Sequence, residues 1–251
     1  MAELRVAGVS LSFGGLEVLR EVSFDARTGE LLALIGPNGA GKTSMLNCIS
    51  GLYRPAAGAI RFGGTDIAGR APHAIARSGV ARTFQHGELF PHMSVVENLL
   101  VARHALFRSS VVAEALQLGS ARAAEIEHRR RVEEVIELAE LEHYRHRPVD
   151  GLPFGVQKVV GFARALAMEP RALLLDEPSA GLNREEREDL ARYILRIRHR
   201  LSIVMIWVEH DMQMVADLAD RVCVLDRGRV IADGPTNAVL KDPRVVAAYL
   251  G

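Results

Sequence analysis

The pattern of apolar and polar residues divides the chain into three regions. In the first third, short apolar runs separated by Gly and Pro predict β-strands, among them LRVAGVSLSF, VSFDA, LLALIG and GAIRFGG. From about Val95 to Leu141, apolar residues recur three and four positions apart, which predicts amphipathic helices. After Phe154, strand and helix patterns alternate through ALLLDEP, REEREDLARYILRIRHR, SIVMIWVEH and RVCVLDRGRV.

Alternating strands and helices are typical of an α/β fold with a mostly parallel sheet whose two faces are covered. The simplest architecture is a single domain, residues 1–251, in which a helical subdomain interrupts an α/β core. We place the core at residues 1–85 and 161–251 and the subdomain at residues 86–160. Within the subdomain, RSSVVAEALQLGSARAAEIEH is rich in Ala, Ser and charged residues, which indicates a mobile or amphipathic insertion.

Composition narrows the class of protein. The chain has 251 residues, of which 49% are apolar and 25% charged, as in an ordinary globular protein. Its 31 basic and 31 acidic residues balance, so we expect no nucleic-acid partner. Cys48 and Cys223 lie far apart and indicate neither a disulfide framework nor a metal cluster. The N-terminus lacks the apolar core of a signal peptide, and no apolar run approaches the ~18 residues that span a bilayer.

The strongest chemical signal is GPNGAGKT, which follows the apolar run LLALI and fits the phosphate-binding pattern G-x-x-x-x-G-K-[ST]. Glycines let successive backbone N–H groups curl around phosphate oxygens, and the following helix N-terminus favours negative charge. Lys42 can reach the outer phosphates, and the Thr43 hydroxyl can bind Mg²⁺. The predicted nucleotide-contacting residues here are Gly36, Pro37, Asn38, Gly39, Ala40, Gly41, Lys42, Thr43 and Ser44.

Two carboxylates end the apolar run ALLL, which predicts a buried strand. Asp176 would emerge at the carboxyl end of that strand, where open α/β sheets bind ligands, and its oxygens suit Mg²⁺. Glu177 would then orient or deprotonate an attacking water. Alone, the pair is a plausible surface turn, since Asp, Glu and Pro favour turns. Beside a phosphate loop, the catalytic interpretation is favoured.

Taken in order, GPNGAGKT, a glycine loop that opens a helix, and LLLDEP resemble an ATP-binding cassette (ABC) ATPase over nearly the whole chain. The resemblance implies a P-loop NTPase, with a RecA-like core sheet, an N-terminal antiparallel β region and an inserted helical subdomain. It also implies ATP as ligand and Mg²⁺ as cofactor, with Thr43, Gln85 and Asp176 at the metal.

Weaker matches complete the resemblance. Phe13 lies where family members place an aromatic ring against adenine, with Val18 nearby. Gln85, in RTFQ, matches a glutamine close to both Mg²⁺ and the membrane-domain contact. His210, after SIVMIWV, matches the histidine that contacts the γ-phosphate, and Asn183 stands where Asp is commoner. Taken singly these would be core, loop and strand-end residues, and the order of the motifs favours their functional interpretation.

The loop LPFGV, residues 152–156, stands where most of the family has Leu-Ser-Gly-Gly-Gln. The missing serine hydroxyl would have bonded the partner's ATP, a contact worth roughly 1.5–3 kcal/mol, or about tenfold to hundredfold in affinity. Gly155, the N–H groups of the first helical turn and the helix dipole are retained. ATPase subunits of branched-chain (hydrophobic) amino-acid importers have a similar aromatic-Gly loop, and DPRVVAAYLG resembles their C-terminus. Lipopolysaccharide-exporter ATPases are similar overall but keep two glycines.

The resemblance therefore implies an ATPase subunit that powers amino-acid import and lies peripherally on the cytoplasmic face of the membrane. Its implied partners are a second ABC ATPase subunit, identical or different, integral membrane permease subunits and, indirectly, a substrate-binding protein. Alternatives are a regulatory cassette with weak hydrolysis, motivated by Pro153 and Phe154, and the ATPase of a lipid or lipopolysaccharide exporter. A soluble cassette acting on ribosomes or DNA would carry a tandem cassette or long coiled coil. A P-loop kinase would leave Gly155 and His210 unexplained.

Overall fold

The computed structural model describes residues 2–83, 89–106 and 119–250, which fall into two compact units. The first unit comprises residues 1–85 and 171–251, and the second comprises residues 86–170. The chain returns to the first unit later than position 161, where the sequence placed the return, because the helix that begins at Phe154 runs unbroken to Leu166.

The elements of both units are numbered along the chain. The strands are β1 (Ala2–Phe13), β2 (Leu16–Arg27), β3 (Leu31–Ile35), β4 (Ala57–Phe62), β5 (Thr65–Asp66), β6 (Val80–Thr83), β7 (Ala172–Asp176), β8 (Val204–Val208), β9 (Arg221–Asp226) and β10 (Arg229–Pro235). The helices are α1 (Lys42–Ile49), α2 (Pro72–Arg77), α3 (Val95–Ala102), α4 (Gly119–Leu138), α5 (Phe154–Leu166), α6 (Arg184–Arg200), α7 (Met212–Leu218), α8 (Thr236–Val239) and α9 (Pro243–Leu250). Helices α3 to α5 belong to the second unit.

The first unit contains two sheets. A four-stranded antiparallel sheet has the order β2-β1-β4-β5, and a six-stranded sheet has the order β10-β9-β3-β8-β7-β6. All pairs of the second sheet are parallel except β9 with β10. This mixed α/β architecture, with its antiparallel region near the N-terminus, confirms the predicted fold class.

The parallel sheet explains the unbroken apolar runs in the sequence. Every residue of β3, β7 and β8 is buried, since strands covered on both faces need apolar side chains at each position. Main-chain pairing also aligns their carboxyl ends, because Val208 of β8 is the register partner of both Leu34 and Asp176. The residues that follow these three strands therefore emerge along one edge of the sheet.

The second unit is helical, with buried polar anchors. The Asn98 amide accepts from the Phe90 N–H at 2.8 Å and donates to the carbonyl of Phe90 at 3.0 Å, which holds the segment before α3. Arg103, 3% exposed, donates to the carbonyl of Ala167 at 2.7 Å and to Glu169 at 3.0 Å. These bonds tie the ends of α3 and α5 together within the unit.

Neither cysteine forms a disulfide. Cys48 and Cys223 are buried free thiols, and burial raises the pKa of Cys48 to about 11, so the thiolate is disfavoured. Across the residues that the structure describes, no helix combines the length and the apolar character needed to cross a bilayer.

Candidate nucleotide-binding and catalytic site

The loop between β3 and α1 has a backbone that only glycine adopts easily. Gly36, Gly39 and Gly41 have φ angles of 147°, 79° and 104°. A Cβ on Gly36 would lie 1.9 Å from the carbonyl oxygen of Leu225, and one on Gly41 would lie 3.0 Å from that of Val18. The loop is therefore packed against β2 and β9, and these approaches require the absence of a side chain at both positions.

Lys42 arches over this loop. Its Nζ donates to the carbonyls of Gly36 at 2.7 Å and Pro37 at 2.9 Å, and the residue is only 6% exposed. Burial lowers the pKa of Lys42, while the nearby carboxylates of Glu177 and Asp176 oppose that shift. The ammonium thus lies beside the loop and interacts with the predicted catalytic carboxylate Glu177 and the predicted metal ligand Asp176, where it can contact the outer phosphates of a nucleotide.

The donors around Lys42 suit a magnesium ion. Asp176 ends β7 with a buried side chain, and Thr43 is an exposed residue in the first turn of α1. A carboxylate and a hydroxyl are the hard oxygen ligands that Mg²⁺ prefers. Within the described ranges, no group of three His, Cys, Asp or Glu side chains could hold a metal alone.

Glu177 and His210 form a contact that joins the ends of β7 and β8. The Nε2 atom of His210 lies 2.5 Å from Oε1 of Glu177, and the Glu177 N–H donates to the carbonyl of Val208 at 3.0 Å. Glu177 has a φ angle of 45°, an uncommon conformation for a residue with a side chain. Such strained residues cluster at active sites, which is consistent with the predicted catalytic role.

The sequence did not single out Glu209, which holds the backbone of His210. Glu209 is 2% exposed, and its Oε1 accepts from the N–H groups of His210 at 2.8 Å and Asp211 at 3.3 Å. Its Oε2 is buried and has no hydrogen-bond partner among the described residues. Asp211 in turn caps α7, accepting from Gln213 and Met214. The segment carrying the histidine is thereby fixed by two carboxylates.

Phe13 is placed at the surface, at the end of β1. Phe13 is 47% exposed. Its ring packs edge to face against the ring of Tyr53, with 5.0 Å between the ring centroids. A core residue would be buried, whereas the exposed ring of Phe13 can stack on an adenine base. The sequence did not identify Tyr53 as the neighbour that orients this ring.

The C-terminal helix α9 reaches the phosphate loop. Burial raises the pKa of Tyr249 to about 12, and a hydrogen bond from the backbone of Gly36 opposes that shift. Tyr249 of α9 and Leu225 of β9 therefore both contact the phosphate loop at Gly36.

The glycine loop lies in the second unit. Pro153 is the N-cap of α5, and Phe154 and Gly155 are its first two helical residues. Phe154 is 51% exposed, and the Lys158 ammonium lies 5.4 Å from the centre of its ring. Gln157 donates to the carbonyl of Leu152 at 2.9 Å, which closes the loop. The variant loop therefore forms a regular helix start that presents Phe154 to solvent.

The structure does not test every predicted site residue. Gln85 lies outside the described residues. Asn183, the variant position after LLLDEP, caps α6 in a reciprocal capping box with Glu186. The spacing N-x-x-E in the sequence would have identified that structural role.

Comparisons with known proteins identify the class. The family model described as ABC transporter matches residues 19–180. The chain therefore belongs to the ABC transporter family, as an ATP-binding cassette of the kind that hydrolyses ATP to power transport. A second family model, described as branched-chain amino acid ATP-binding cassette transporter, matches residues 229–251.

The particular relatives point to one branch. The chain is 38% identical over 248 residues to the high-affinity branched-chain amino acid transport ATP-binding protein BraF of Pseudomonas aeruginosa, covering 99% of this chain and 97% of that one. It is equally similar, with the same coverage, to LivG of Escherichia coli K12, which has the same description. A nucleotide-free ATP-binding cassette from an ABC transporter superposes with a TM-score of 0.86 at 29% identity, over the full length of both chains.

Lys42 gives the first prediction. Replacing it by alanine removes a charge-assisted phosphate contact, so Lys42→Ala should weaken ATP binding by about tenfold to hundredfold. Calorimetric titration with ATP measures this change. Lys241→Ala, at an exposed lysine of the same unit, is the control and should bind like the parent protein. Equal affinity in all three proteins would contradict the assignment of the phosphate loop.

Glu177 gives the second prediction. Glu177→Gln keeps the shape of the side chain but removes the charge that orients or deprotonates water, so turnover should fall by about 10²- to 10⁴-fold. ATP affinity should stay near that of the parent, because Lys42 and the loop are intact. Steady-state hydrolysis and ATP titration on the same preparation separate the two effects. Near-normal hydrolysis in this variant would remove Glu177 from the mechanism.

Proposed function

We propose that the chain is the ATP-hydrolysing subunit of an importer for branched-chain or other hydrophobic amino acids. The observation that carries this proposal is the 38% identity to BraF, which extends over 99% of this chain. The match of the C-terminal residues 229–251 to the branched-chain family supports the same branch. The aromatic-Gly form of the loop at Phe154 and Gly155 is a further argument against the two-glycine exporters.

In hydrolysis, the N–H groups of the phosphate loop and Lys42 bind the β- and γ-phosphates of ATP. Thr43, Asp176 and Gln85 would hold Mg²⁺, and the bound ion would supply positive charge opposite the charge that develops on the phosphates. Glu177 orients the attacking water and accepts its proton. His210 contacts Glu177 and keeps that carboxylate in place until nucleotide binds, and then turns to the γ-phosphate. The ring of Phe13 stacks on adenine, next to Val18.

A second ABC ATPase subunit, identical or different, completes the catalytic unit. The start of α5, with Gly155 and the dipole of the helix, suits the phosphates of an ATP held by the partner's phosphate loop. ATP then stabilises the closed pair and hydrolysis releases it. The Pro153 and Phe154 variant loop favours one alternative, a regulatory cassette with weak hydrolysis.

The second unit also offers a surface for a membrane permease. Phe90 and Met93, which follow the segment of Gln85, are 42% and 39% exposed and together offer apolar surface to a partner. Buried hydrogen bonds of Asn98 hold the backbone of both residues in place. We place the chain on the cytoplasmic face of the membrane, with a substrate-binding protein as an indirect partner across it.

The third prediction concerns Gly155. A carboxylate at this position would repel the partner's phosphates, so Gly155→Asp should abolish hydrolysis while an isolated subunit still binds ATP. Gly151→Asp is the matched control, since a Cβ at Gly151 meets nothing within 4 Å. Rates and single-subunit affinities are measured for both variants. If Gly155→Asp hydrolyses ATP as fast as the parent protein, the loop takes no part in catalysis. A parent protein that turns over ATP rapidly would exclude the alternative of a regulatory cassette with weak hydrolysis.

The fourth prediction tests the transported substrate. The complex purified with this chain and reconstituted in vesicles with its binding protein should take up radiolabelled leucine, isoleucine or valine only when ATP is present. Incorporating Glu177→Gln should stop this uptake, and sulfate, a chemically unrelated anion, should not be carried. ATP-dependent movement of sulfate or lipid without amino-acid uptake would overturn the proposed branch.

A further inference from the structure

Arg82 is a buried cation that the reaction described above does not use. It lies in β6, and its Nη2 donates to Oδ2 of Asp176 at 2.7 Å. The two side chains are 6% and 7% exposed. The register of β6 on β7 pairs Arg82 with Leu174, two residues before Asp176, so the backbone positions of both partners are fixed by the sheet.

The other arm of the same guanidinium binds α1. Nη1 donates to Oδ1 of Asn47 at 2.6 Å and to Oγ of Ser50 at 3.0 Å. Helix α1 is the element that begins with Lys42 and Thr43. Arg82 therefore connects the carboxylate at the end of β7 to the helix that carries the phosphate-binding lysine and the hydroxyl.

A planar guanidinium is suited to this task, because its donors have a fixed geometry. Held through Oδ2, the Asp176 carboxylate keeps one orientation and has its second oxygen available for a further ligand. Without Arg82, Asp176 would still interact electrostatically with Lys42. The carboxylate would then turn towards Lys42, whose ammonium is held by the loop carbonyls, and would leave the position that a magnesium ion requires.

We propose that Arg82 is a positioning residue for the Mg²⁺–nucleotide complex. It sets Asp176 relative to Thr43 and Lys42 by binding the carboxylate and α1 at the same time. This inference rests on the proposed magnesium site. Arg82 contributes to the increase in nucleotide affinity that Mg²⁺ provides. Binding of metal-free nucleotide depends on the loop and Lys42, and should not need Arg82.

The test measures ADP affinity by calorimetry, with Mg²⁺ and with a chelator, on the full-length chain. The ratio of the two dissociation constants is the metal effect. In Arg82→Met the metal effect should fall by about tenfold, the size that one misplaced charged contact carries, with metal-free affinity unchanged. Arg82→Lys keeps the charge but cannot bind Asp176 and Asn47 together, so it should show the same loss. If Arg82→Met does not fold, Arg82→Lys decides the question.

Arg221→Met is the matched control. Arg221 has a side chain that is 12% exposed and pairs with Asp233 and Glu30 in the first unit. Its loss should lower the melting temperature, as loss of Arg82 should, but leave the metal effect unchanged. A metal effect reduced equally in Arg221→Met, or retained in both Arg82 variants, would show that Arg82 is only structural and would overturn the proposal.

A double-mutant cycle tests whether Arg82 acts through Asp176. If Arg82 acts through Asp176, Arg82→Met in the Asp176→Asn background should reduce the metal effect no further. Additive losses would contradict action through Asp176. Absence of any metal effect in the parent protein would instead refute the magnesium site, and with it the role given to Arg82.

Discussion

The site depends first on the parallel pairing of β3, β8 and β7. Main-chain hydrogen bonds place Leu34, Val208 and Asp176 in register, so the residues that follow each strand emerge at one edge. The phosphate loop, Glu177 and His210 come from distant parts of the chain and meet only because of this alignment. Burial of every side chain in the three strands makes the register costly to change, since a one-residue slip would move each side chain to the opposite face and disrupt its packing.

Close backbone packing is the second constraint. The carbonyl of Leu225 would clash with any side chain at Gly36, and the carbonyl of Val18 approaches both Gly41 and Gly228 too closely for a side chain. The β9–β10 hairpin and β2 therefore brace the phosphate loop from outside it, and the Gly228 N–H donates to the carbonyl of Ala40 at 3.0 Å. A loop held this way presents its N–H groups without reorganisation, which is what electrostatic stabilisation of phosphate requires.

The buried cations at the site, Lys42 and Arg82, both have carboxylates beside them. Lys42 lies near Asp176 and Glu177, Arg82 binds Asp176, and His210 contacts Glu177. Removing one member of such a set leaves another charge buried without compensation, and the penalty for that is larger than the net gain of the pair. The network therefore holds its members in place, and it links β6, β7, β8 and α1 around the nucleotide site.

The sequence determined the elements and most of the chemistry. Continuous apolar runs predicted the buried strands, GPNGAGKT predicted the phosphate loop, and the end of ALLLDEP predicted Asp176 and Glu177, because these signals are local. His210 was predicted only from the resemblance, through the order of the motifs. The contact between Glu177 and His210, the bracing of Gly36 by Leu225 and the bond from Arg82 to Asp176 join residues that are distant in sequence. Strand order and register decided them. No local pattern at Arg82 or Glu209 distinguishes a buried polar anchor from an ordinary surface residue, and none marks Tyr53 as the neighbour of Phe13.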